Sequence, residues 1–267
     1  MADLTAEPML REQTTDGVRI LTLNRPTKKN ALSSHLTQAL IAGIETAVDD
    51  DAVRVIGLTG AGDAFCAGAD LKERRPAAAD SSTPPSVEDQ VVRLVSGIRV
   101  DCEKPVIAGI NGLAIGAGLA IAMCADMRIA SAKARFHPGY ARAGSSPDCG
   151  LSWTLPQAIG HERAMRFLLE PQMMDADSAL ALGLVGEVAP AEEFEEAFIG
   201  YCHKIAEVAP MAARQTKRLV TRAGLLEGLE EHLRDELALA KQALTSEDGR
   251  EAVRAILEKR KPKFTGR

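Results

Sequence analysis

Asp148 is a carboxylate set among small residues, in the stretch Ser145-Ser-Pro-Asp-Cys-Gly150, just before a helix that we predict from about Leu151. A Pro-Asp pair commonly forms a turn or caps a helix, which would make the residue structural. A carboxylate that faces a pocket can instead take a proton from one atom and return it to another. The local sequence alone allows both interpretations.

Two other segments combine small residues at places where the backbone must approach something closely. They are Ala64–Leu71 (AFCAGADL) and Ile110–Leu119 (INGLAIGAGL), and each follows a predicted buried strand. In the second segment, Gly116-Ala-Gly118 lies at the start of a predicted helix. A helix N-terminus carries partial positive charge and free N–H groups, which suit an anion that develops during a reaction. Tight helix–strand packing is the alternative for either segment taken singly.

Short apolar runs without in–out alternation predict strands that are buried on both faces. We predict strands at Val18–Asn24, Val53–Thr59, Pro105–Ile110 and Met127–Ala130, and helices at Ser34–Val48, about Val87–Arg99 and Gly116–Cys124. Because helices separate these strands, the sheet should be mostly parallel and the fold α/β. The stretch Leu71–Gln90, rich in Ala, Pro and Ser, is predicted to be a loop.

The chain beyond about Ala191 is predicted to be helical and free of strands up to Lys259. We therefore divide the protein into an α/β core, residues 1–190, and a helical C-terminal region, residues 191–267. A chain of 267 residues can bury most of its apolar surface without disulfides or metals.

The net charge is −5, from 32 basic and 37 acidic residues, which argues against a general nucleic-acid or anionic-membrane binder. The five cysteines are odd in number and include no Cys-x-x-Cys pair, so neither a disulfide framework nor a zinc site is expected. The N-terminus lacks the layout of a signal peptide, and no apolar run reaches the roughly 18 residues of a spanning helix. We expect a cytoplasmic protein.

Nucleotide-binding motifs are not supported. Gly60-Ala-Gly62 follows a strand, but Cys66 and Ala67 occupy the region of the third glycine of a dinucleotide fingerprint, and no helix is predicted there. The Gly-Lys-Ser/Thr triplet of a P-loop is absent from the sequence.

Several motifs together resemble the crotonase (enoyl-CoA hydratase/isomerase) family, in the right order and over nearly the whole chain. They are Asn24-Arg-Pro26 with Asn30-Ala-Leu32, then Ala64–Leu71, Ile110–Leu119 and Ala181-Leu-Gly-Leu-Val185. The resemblance implies a core built as a spiral of ββα units, a C-terminal helical region used in trimerisation, and coenzyme A thioester substrates. It also implies a homotrimer or a dimer of trimers, with no cofactor beyond the CoA of the substrate.

The same resemblance implies an oxyanion hole made of two peptide N–H groups, those of Ala69 and Ala117. Two fixed donors would stabilise the enolate oxygen of a thioester and so acidify the neighbouring C–H bond. The family often has glycine where this chain has Ala117, but alanine also supplies an N–H group.

Two positions depart from the family's hydratases, which use a pair of glutamates. Ala120 and Tyr140 stand where those carboxylates would be, so two-glutamate addition of water is not expected. Related dienoyl-CoA isomerases and the ring-opening isomerase of phenylacetate breakdown have an aspartate where this chain has Asp148. We therefore favour Asp148 as the proton carrier, and Tyr140 as either a hydrogen-bond donor or a pocket-filling side chain.

The resemblance also suggests which residues contact CoA. The stretches Lys28–Ala31 and Ala67–Leu71 should border the adenine, which makes Lys28, Ala31, Ala67, Asp70 and Leu71 candidates. The basic tail that ends at Phe264 is a further candidate, in the same or a neighbouring subunit. We interpret His137 as a loop residue, Cys66 and Cys149 as small packing residues, and Trp153 as a core residue.

The leading functional hypothesis is an enoyl-CoA isomerase that shifts a double bond by way of Asp148. The alternative is an atypical enoyl-CoA hydratase in which Asp148 or Tyr140 orders the water. More remote is a non-catalytic acyl-CoA binder or an RNA-binding member of the family. RNA binding would call for a lysine-rich exposed helix, and the candidate Ser34–Val48 contains neither Lys nor Arg.

Overall fold

The structure, a computed structural model, describes residues 7–70, 87–141, 146–170, 172–223, 246–258 and 260–267. Within these ranges the strands are β1 (Leu10–Thr15), β2 (Val18–Leu23), β3 (Val55–Gly60), β4 (Ala64–Cys66), β5 (Val106–Ile110), β6 (Leu113–Ile115), β7 (Met127–Ser131), β8 (Arg135–His137), β9 (Met174–Asp175) and β10 (Glu187–Ala189). The α-helices are α1 (Ser34–Asp49), α2 (Val87–Ser96), α3 (Ala117–Cys124), α4 (Leu151–Ile159), α5 (His161–Leu169), α6 (Ala176–Leu182), α7 (Phe194–Ala206), α8 (Pro210–Ala223) and α9 (Glu247–Leu257). A π-helical turn, Gly97–Asp101, continues α2.

The strands form two sheets. The larger has the order β1-β2-β3-β5-β7-β10, and all of its pairs are parallel except the β1–β2 hairpin. The smaller has the order β4-β6-β8-β9, in which β4, β6 and β8 run parallel and β9 is antiparallel to β8. The four strands predicted from the sequence correspond to β2, β3, β5 and β7. The prediction of a mostly parallel α/β fold is therefore confirmed.

Strand β5 shows why the apolar runs lack in–out alternation. Val106, Ala108 and Ile110 face a core cluster shared with α1 and α3, whereas Ile107 faces a second cluster under α7. Every residue of β5 is buried, because both faces of the sheet are covered. Helix α7 packs so closely that a Cβ atom on Gly109 would lie 2.6 Å from the ring of Phe198. A glycine in this strand is thus a packing requirement of the helix above it.

Helix α1 begins where its sequence predicts. The side chain of Ser33 accepts a hydrogen bond from the backbone N–H of Leu36 at 3.1 Å and so caps the helix. Leu36, Leu40 and Ile44 follow at helical spacing and are buried against the large sheet.

A buried lysine ties the C-terminal helices to the α/β core. Lys217 of α8 donates hydrogen bonds to the carbonyl oxygens of Ile98 and Lys104, at 2.9 and 3.0 Å. Its ammonium group also pairs with the carboxylate of Asp126 at 2.9 Å. The residues described after Ala189 form helices and a short tail, and no strand occurs among them.

Two predictions about local structure have different outcomes. The expectation that Trp153 lies in the core is wrong, because its side chain projects from α4 and is 52% exposed. The predicted loop Leu71–Gln90 lies outside the described residues as far as residue 86, and from Val87 onward it is helix α2. None of the described helices combines the length and the apolar character needed to cross a bilayer.

Candidate active site

The edge of the small sheet brings three separate segments together. Strands β4, β6 and β8 lie side by side and parallel, with Ala114 between Cys66 and Phe136. Their carboxyl ends therefore meet at one edge, which is where sites form in sheets of this kind. The residues that follow these strands are Ala67-Gly68-Ala69, Gly116-Ala117 and Pro138-Gly139-Tyr140. The first two are the small-residue segments singled out from the sequence.

Gly68 makes the close approach between the first two segments possible. Its φ angle is +89°, and a Cβ atom at this residue would lie 2.8 Å from the carbonyl oxygen of Ile115 and 3.4 Å from the amide nitrogen of Ala117. The segment is also fixed from the other side. The N–H of Leu32 donates to the carbonyl of Gly68 at 2.8 Å, and the N–H of Asp70 donates to the carbonyl of Leu32 at 2.9 Å. Ala69 is thus held by hydrogen bonds on both of its neighbours.

The N–H groups of Ala69 and Ala117 are available as donors. Ala117 is the first residue of α3, so its N–H has no partner within the helix, and Gly116 provides no side-chain cap. Gly68, the neighbour of Ala69, lies against Ala117, and no backbone carbonyl among the described residues accepts from the N–H of either alanine.

The residues predicted to border CoA also lie along the first segment. The N–H of Ala67 donates to the carbonyl of Lys29 at 2.9 Å, which pairs the stretch after β2 with the stretch after β4. The guanidinium of Arg25 bridges the two stretches, at 3.1 Å from the carboxylate of Asp70 and 2.6 Å from the carbonyl of Ala31. Lys28 is exposed beside them. Leu71 lies outside the described residues.

Asn30, which entered the sequence comparison only as part of a motif, is the main organiser of this region. It is fully buried, and its Nδ2 donates to the carbonyls of Ala61 and Ala64 at 2.9 and 2.7 Å. Its Oδ1 accepts from the N–H of Arg25 at 2.8 Å. One side chain therefore joins the ends of β2 and β3 to β4.

Phe264 lies far from the other predicted CoA residues within one chain. Its carbonyl accepts a 2.8 Å hydrogen bond from Arg54, which precedes β3, whereas Lys28 and Ala67 follow the carboxyl ends of their strands. Strand β3 is six residues long, so it separates the two places by about 20 Å. Within one chain, Phe264 therefore lies at the opposite end of β3 from Lys28 and Ala67.

Tyr140 and Asp148 are in direct contact. The Tyr140 hydroxyl donates a 2.7 Å hydrogen bond to Oδ1 of Asp148. Tyr140 is only 7% exposed, whereas the side chain of Asp148 is exposed. The residue that caps α4 is Gly150, and no side-chain cap is present, so the carboxylate of Asp148 does not cap the helix. Only its backbone carbonyl takes part in the turn, by accepting from the N–H of Leu151 at 3.0 Å.

The pair lies close to the proposed donors. Gly139, beside Tyr140, has a φ of +80°, and a Cβ atom there would lie 3.5 Å from Cα of Gly116. Burial and the neighbouring carboxylate of Asp148 raise the pKa of Tyr140 far above its ordinary value, so the phenol keeps its proton. Sequence reasoning named both residues but gave no sign of their contact, because they lie eight positions apart with no regular residue pattern between them.

The other residues considered near the site are buried. Ala120 is fully buried in α3. His137 is 5% exposed, and its backbone carbonyl accepts from the N–H of Gly116 at 3.1 Å. Burial raises the pKa of Cys66 to about 12, and burial together with Asp148 raises that of Cys149. Over the described ranges, no three His, Cys, Asp or Glu side chains are grouped so as to hold a metal ion.

Comparison with known proteins gives consistent results over the full length. The profile of a family described as enoyl-CoA hydratase/isomerase matches residues 13–267. A protein of Rhodobacter capsulatus named "probable enoyl-CoA hydratase" is 36% identical, over 97% of this chain and 98% of its own. The 1,2-epoxyphenylacetyl-CoA isomerase of Escherichia coli is 34% identical, over 94% and 96%. The crystal structure of an enoyl-CoA hydratase from Bacillus anthracis superposes with a TM-score of 0.88 at 31% identity, over 97% of this chain and 100% of its own.

Proposed function

Because the chain belongs to the enoyl-CoA hydratase/isomerase family, we propose that it is an enzyme that shifts a carbon–carbon double bond within an acyl-CoA thioester. Asp148 is the proton carrier, and the N–H groups of Ala69 and Ala117 form the oxyanion hole. The contact between Asp148 and Tyr140 carries this proposal, because it anchors one carboxylate to a residue whose neighbour, Gly139, packs against the start of α3. The proposed reaction uses no cofactor other than the CoA that is part of the substrate.

The proposed reaction consists of two proton transfers. Asp148 removes a proton from the carbon next to the thioester carbonyl of a 3-enoyl-CoA. The electron pair of that C–H bond becomes part of a dienolate, whose oxygen accepts hydrogen bonds from Ala69 and Ala117. The protonated carboxyl then returns the proton to carbon 4. The electrons shift back, the carbonyl re-forms, and the double bond now lies between carbons 2 and 3.

The side chains at two positions favour this reaction over addition of water. Ala120 is fully buried and has no polar side chain. The only hydrogen bond that the Tyr140 hydroxyl can donate goes to Asp148. A reaction with no net gain or loss of protons can proceed with a single carboxylate, whereas hydration needs groups that both position a water molecule and protonate the substrate.

An atypical enoyl-CoA hydratase is the second candidate. The exposure of the Asp148 side chain favours it, because water reaches the carboxylate, and so does the printed name of the Rhodobacter relative. Incubation of the protein with a 2-enoyl-CoA and with a 3-enoyl-CoA separates the two reactions. We expect the 3-enoyl-CoA to be converted to the 2-enoyl isomer, and no turnover for Asp148→Asn. Formation of a 3-hydroxyacyl-CoA without isomerisation would overturn the first proposal in favour of the second.

We further propose that the enzyme assembles as a homotrimer or a dimer of trimers through its C-terminal region. An apolar groove of about 800 Å³ lies between α4, α7 and α8. Val208 and Val220 on its wall are 43% and 67% exposed, and Trp153 projects from α4 nearby. Exposed apolar surface of this kind typically marks an interface. Such an assembly would also allow the Phe264 of one subunit to reach the CoA site of another, and light scattering after gel filtration tests it.

A further inference from the structure

Asp148 presents its two carboxylate oxygens to different surroundings. Oδ1 accepts the hydrogen bond from Tyr140, and it is the buried phenol that fixes this oxygen. The remaining oxygen belongs to a side chain that is exposed in the chain alone and so can meet a ligand. Tyr140 therefore holds one oxygen of an exposed carboxylate and donates no hydrogen bond to the other.

Tyr140 itself is held by its surroundings. The neighbouring Gly139 packs against the start of α3, and a Cβ atom on Gly139 would lie 3.5 Å from Cα of Gly116. Because burial and the Asp148 charge raise its pKa, the phenol remains a donor throughout the ordinary pH range. Among the described residues, the Cys149 thiol also lies beside the carboxylate, and burial and Asp148 raise its pKa, so it too stays neutral.

From this geometry we infer that Tyr140 is a positioning residue, which holds Oδ1 of Asp148 so that Oδ2 alone carries the proton between the two carbons of the substrate. The inference rests on the proposed function, because it requires Asp148 to be the proton carrier. A fixed carboxylate that uses one oxygen keeps the abstracted proton next to the dienolate. It therefore returns much of that same proton to the substrate rather than exchanging it with water.

Isotope transfer tests this role directly. The protein is given a 3-enoyl-CoA with deuterium at carbon 2 in ordinary water, and deuterium at carbon 4 of the product is measured. We expect the native protein to transfer a substantial share of the label. In Tyr140→Phe, the carboxylate is free to rotate, so the transferred share should fall at least severalfold, while kcat falls about tenfold and KM stays within about twofold.

Tyr201 is the matched control, because its hydroxyl contacts Met127 away from the site. Tyr201→Phe should leave label transfer, kcat and KM unchanged. Native label transfer together with a native kcat in Tyr140→Phe would overturn the inference.

A further variant keeps the test decisive if Tyr140→Phe fails to fold. The chain has two tyrosines, so 3-fluorotyrosine incorporated into Tyr201→Phe replaces Tyr140 alone. The fluorinated phenol is a stronger donor and should hold Oδ1 at least as firmly, so label transfer should not fall; a severalfold fall would contradict the inference. Asp148→Asn distinguishes a failure of the proposed function from a failure of the role of Tyr140. Full turnover in that variant refutes the proposed function, whereas loss of turnover there with a native-like Tyr140→Phe refutes only the role of Tyr140.

Discussion

Gly68 and Ala117 approach each other so closely that a Cβ atom on Gly68 would lie 3.4 Å from the amide nitrogen of Ala117. The same atom would lie 2.8 Å from the carbonyl oxygen of Ile115, a distance that real Cβ atoms essentially never show. Both neighbours are backbone atoms, which cannot move aside as a side chain can. The spacing of the two proposed oxyanion donors therefore depends on the absence of a side chain at Gly68.

We predict that Gly68→Ala separates the two donors and lowers kcat/KM by about a hundredfold or more, in line with the loss of one oxyanion donor. Gly160→Ala is the matched control, because Gly160 has a similar φ of +83° but a Cβ atom there would have no described heavy atom within 4 Å beyond its neighbours in the chain. The Gly160→Ala variant should therefore have similar backbone strain but normal activity. Equal activities of the two variants, measured by steady-state kinetics, would rule out this role for Gly68.

Asn30→Ala should destabilise the protein by about 3 kcal/mol, because it removes the side-chain partner of the Ala61 carbonyl and of the Arg25 N–H, and one of the two hydrogen bonds to the Ala64 carbonyl. Asn111 offers a comparison, since its Nδ2 also donates to two carbonyls, those of Gly62 and Ala64, from a less buried side chain. We expect Asn111→Ala to cost less in urea unfolding. If the two variants lose the same stability, burial of Asn30 is not the source of its effect.

The alkaline stability of the protein should depend on Tyr140. An unfolded tyrosine has a pKa of about 10, and the folded value is higher, so the unfolded chain loses the phenol proton first as pH rises. The stabilisation by the protonated phenol is complete below about pH 10 and is lost progressively above it. The native protein should therefore lose free energy of unfolding relative to Tyr140→Phe as the pH rises above about 10. Parallel curves for the two proteins would contradict this.

The five cysteines should resist thiol reagents in the folded protein. All five are free and buried, and burial raises the pKa to about 12 for Cys66, about 11 for Cys124 and about 12 for Cys202. At about pH 8 their thiolate fractions are therefore very small. A chromogenic disulfide reagent should react rapidly only after unfolding in guanidinium chloride. Rapid reaction of any thiol in the native state would show that its surroundings open.

Lys217→Met should cost about 3 kcal/mol, because it leaves the Asp126 carboxylate without its closest cation inside the protein. Arg218 on the same helix provides the control. Its contact with Glu103 is 3.9 Å long and both side chains are about half exposed, so Arg218→Met should cost less than about 0.5 kcal/mol. Thermal unfolding of the two variants checks the difference, and similar transition temperatures would argue against the anchoring role of Lys217.

The sequence was sufficient to predict the parallel sheet and the start of α1 at Ser34. These features depend on apolar runs and on helical spacing, which are encoded within a few residues. The small sheet was not predicted. Its strands β4, β6 and β8 have three residues each, too few to show a period, and they form only because Asn30 and neighbouring strands hold them.

Features that depend on the packing of distant segments were harder to predict. Trp153 is apolar and near the site in sequence, yet the face of α4 on which it lies is exposed. The hydrogen bond from Tyr140 to Asp148 crosses a loop whose path no residue pattern reveals. Phe264 could be placed only by tracing the tail to Arg54, because a terminal segment carries no register of its own.

The proposed oxyanion donors are main-chain groups, and this separates the site into two parts that can change independently. Only substitution by proline would remove the backbone N–H of Ala69 or Ala117, because every other residue type retains it. Positions 120, 140 and 148, in contrast, contribute through their side chains alone. Redesign of this scaffold toward another outcome of the proposed enolate chemistry can therefore begin from these three positions, while the main-chain donors are left unchanged.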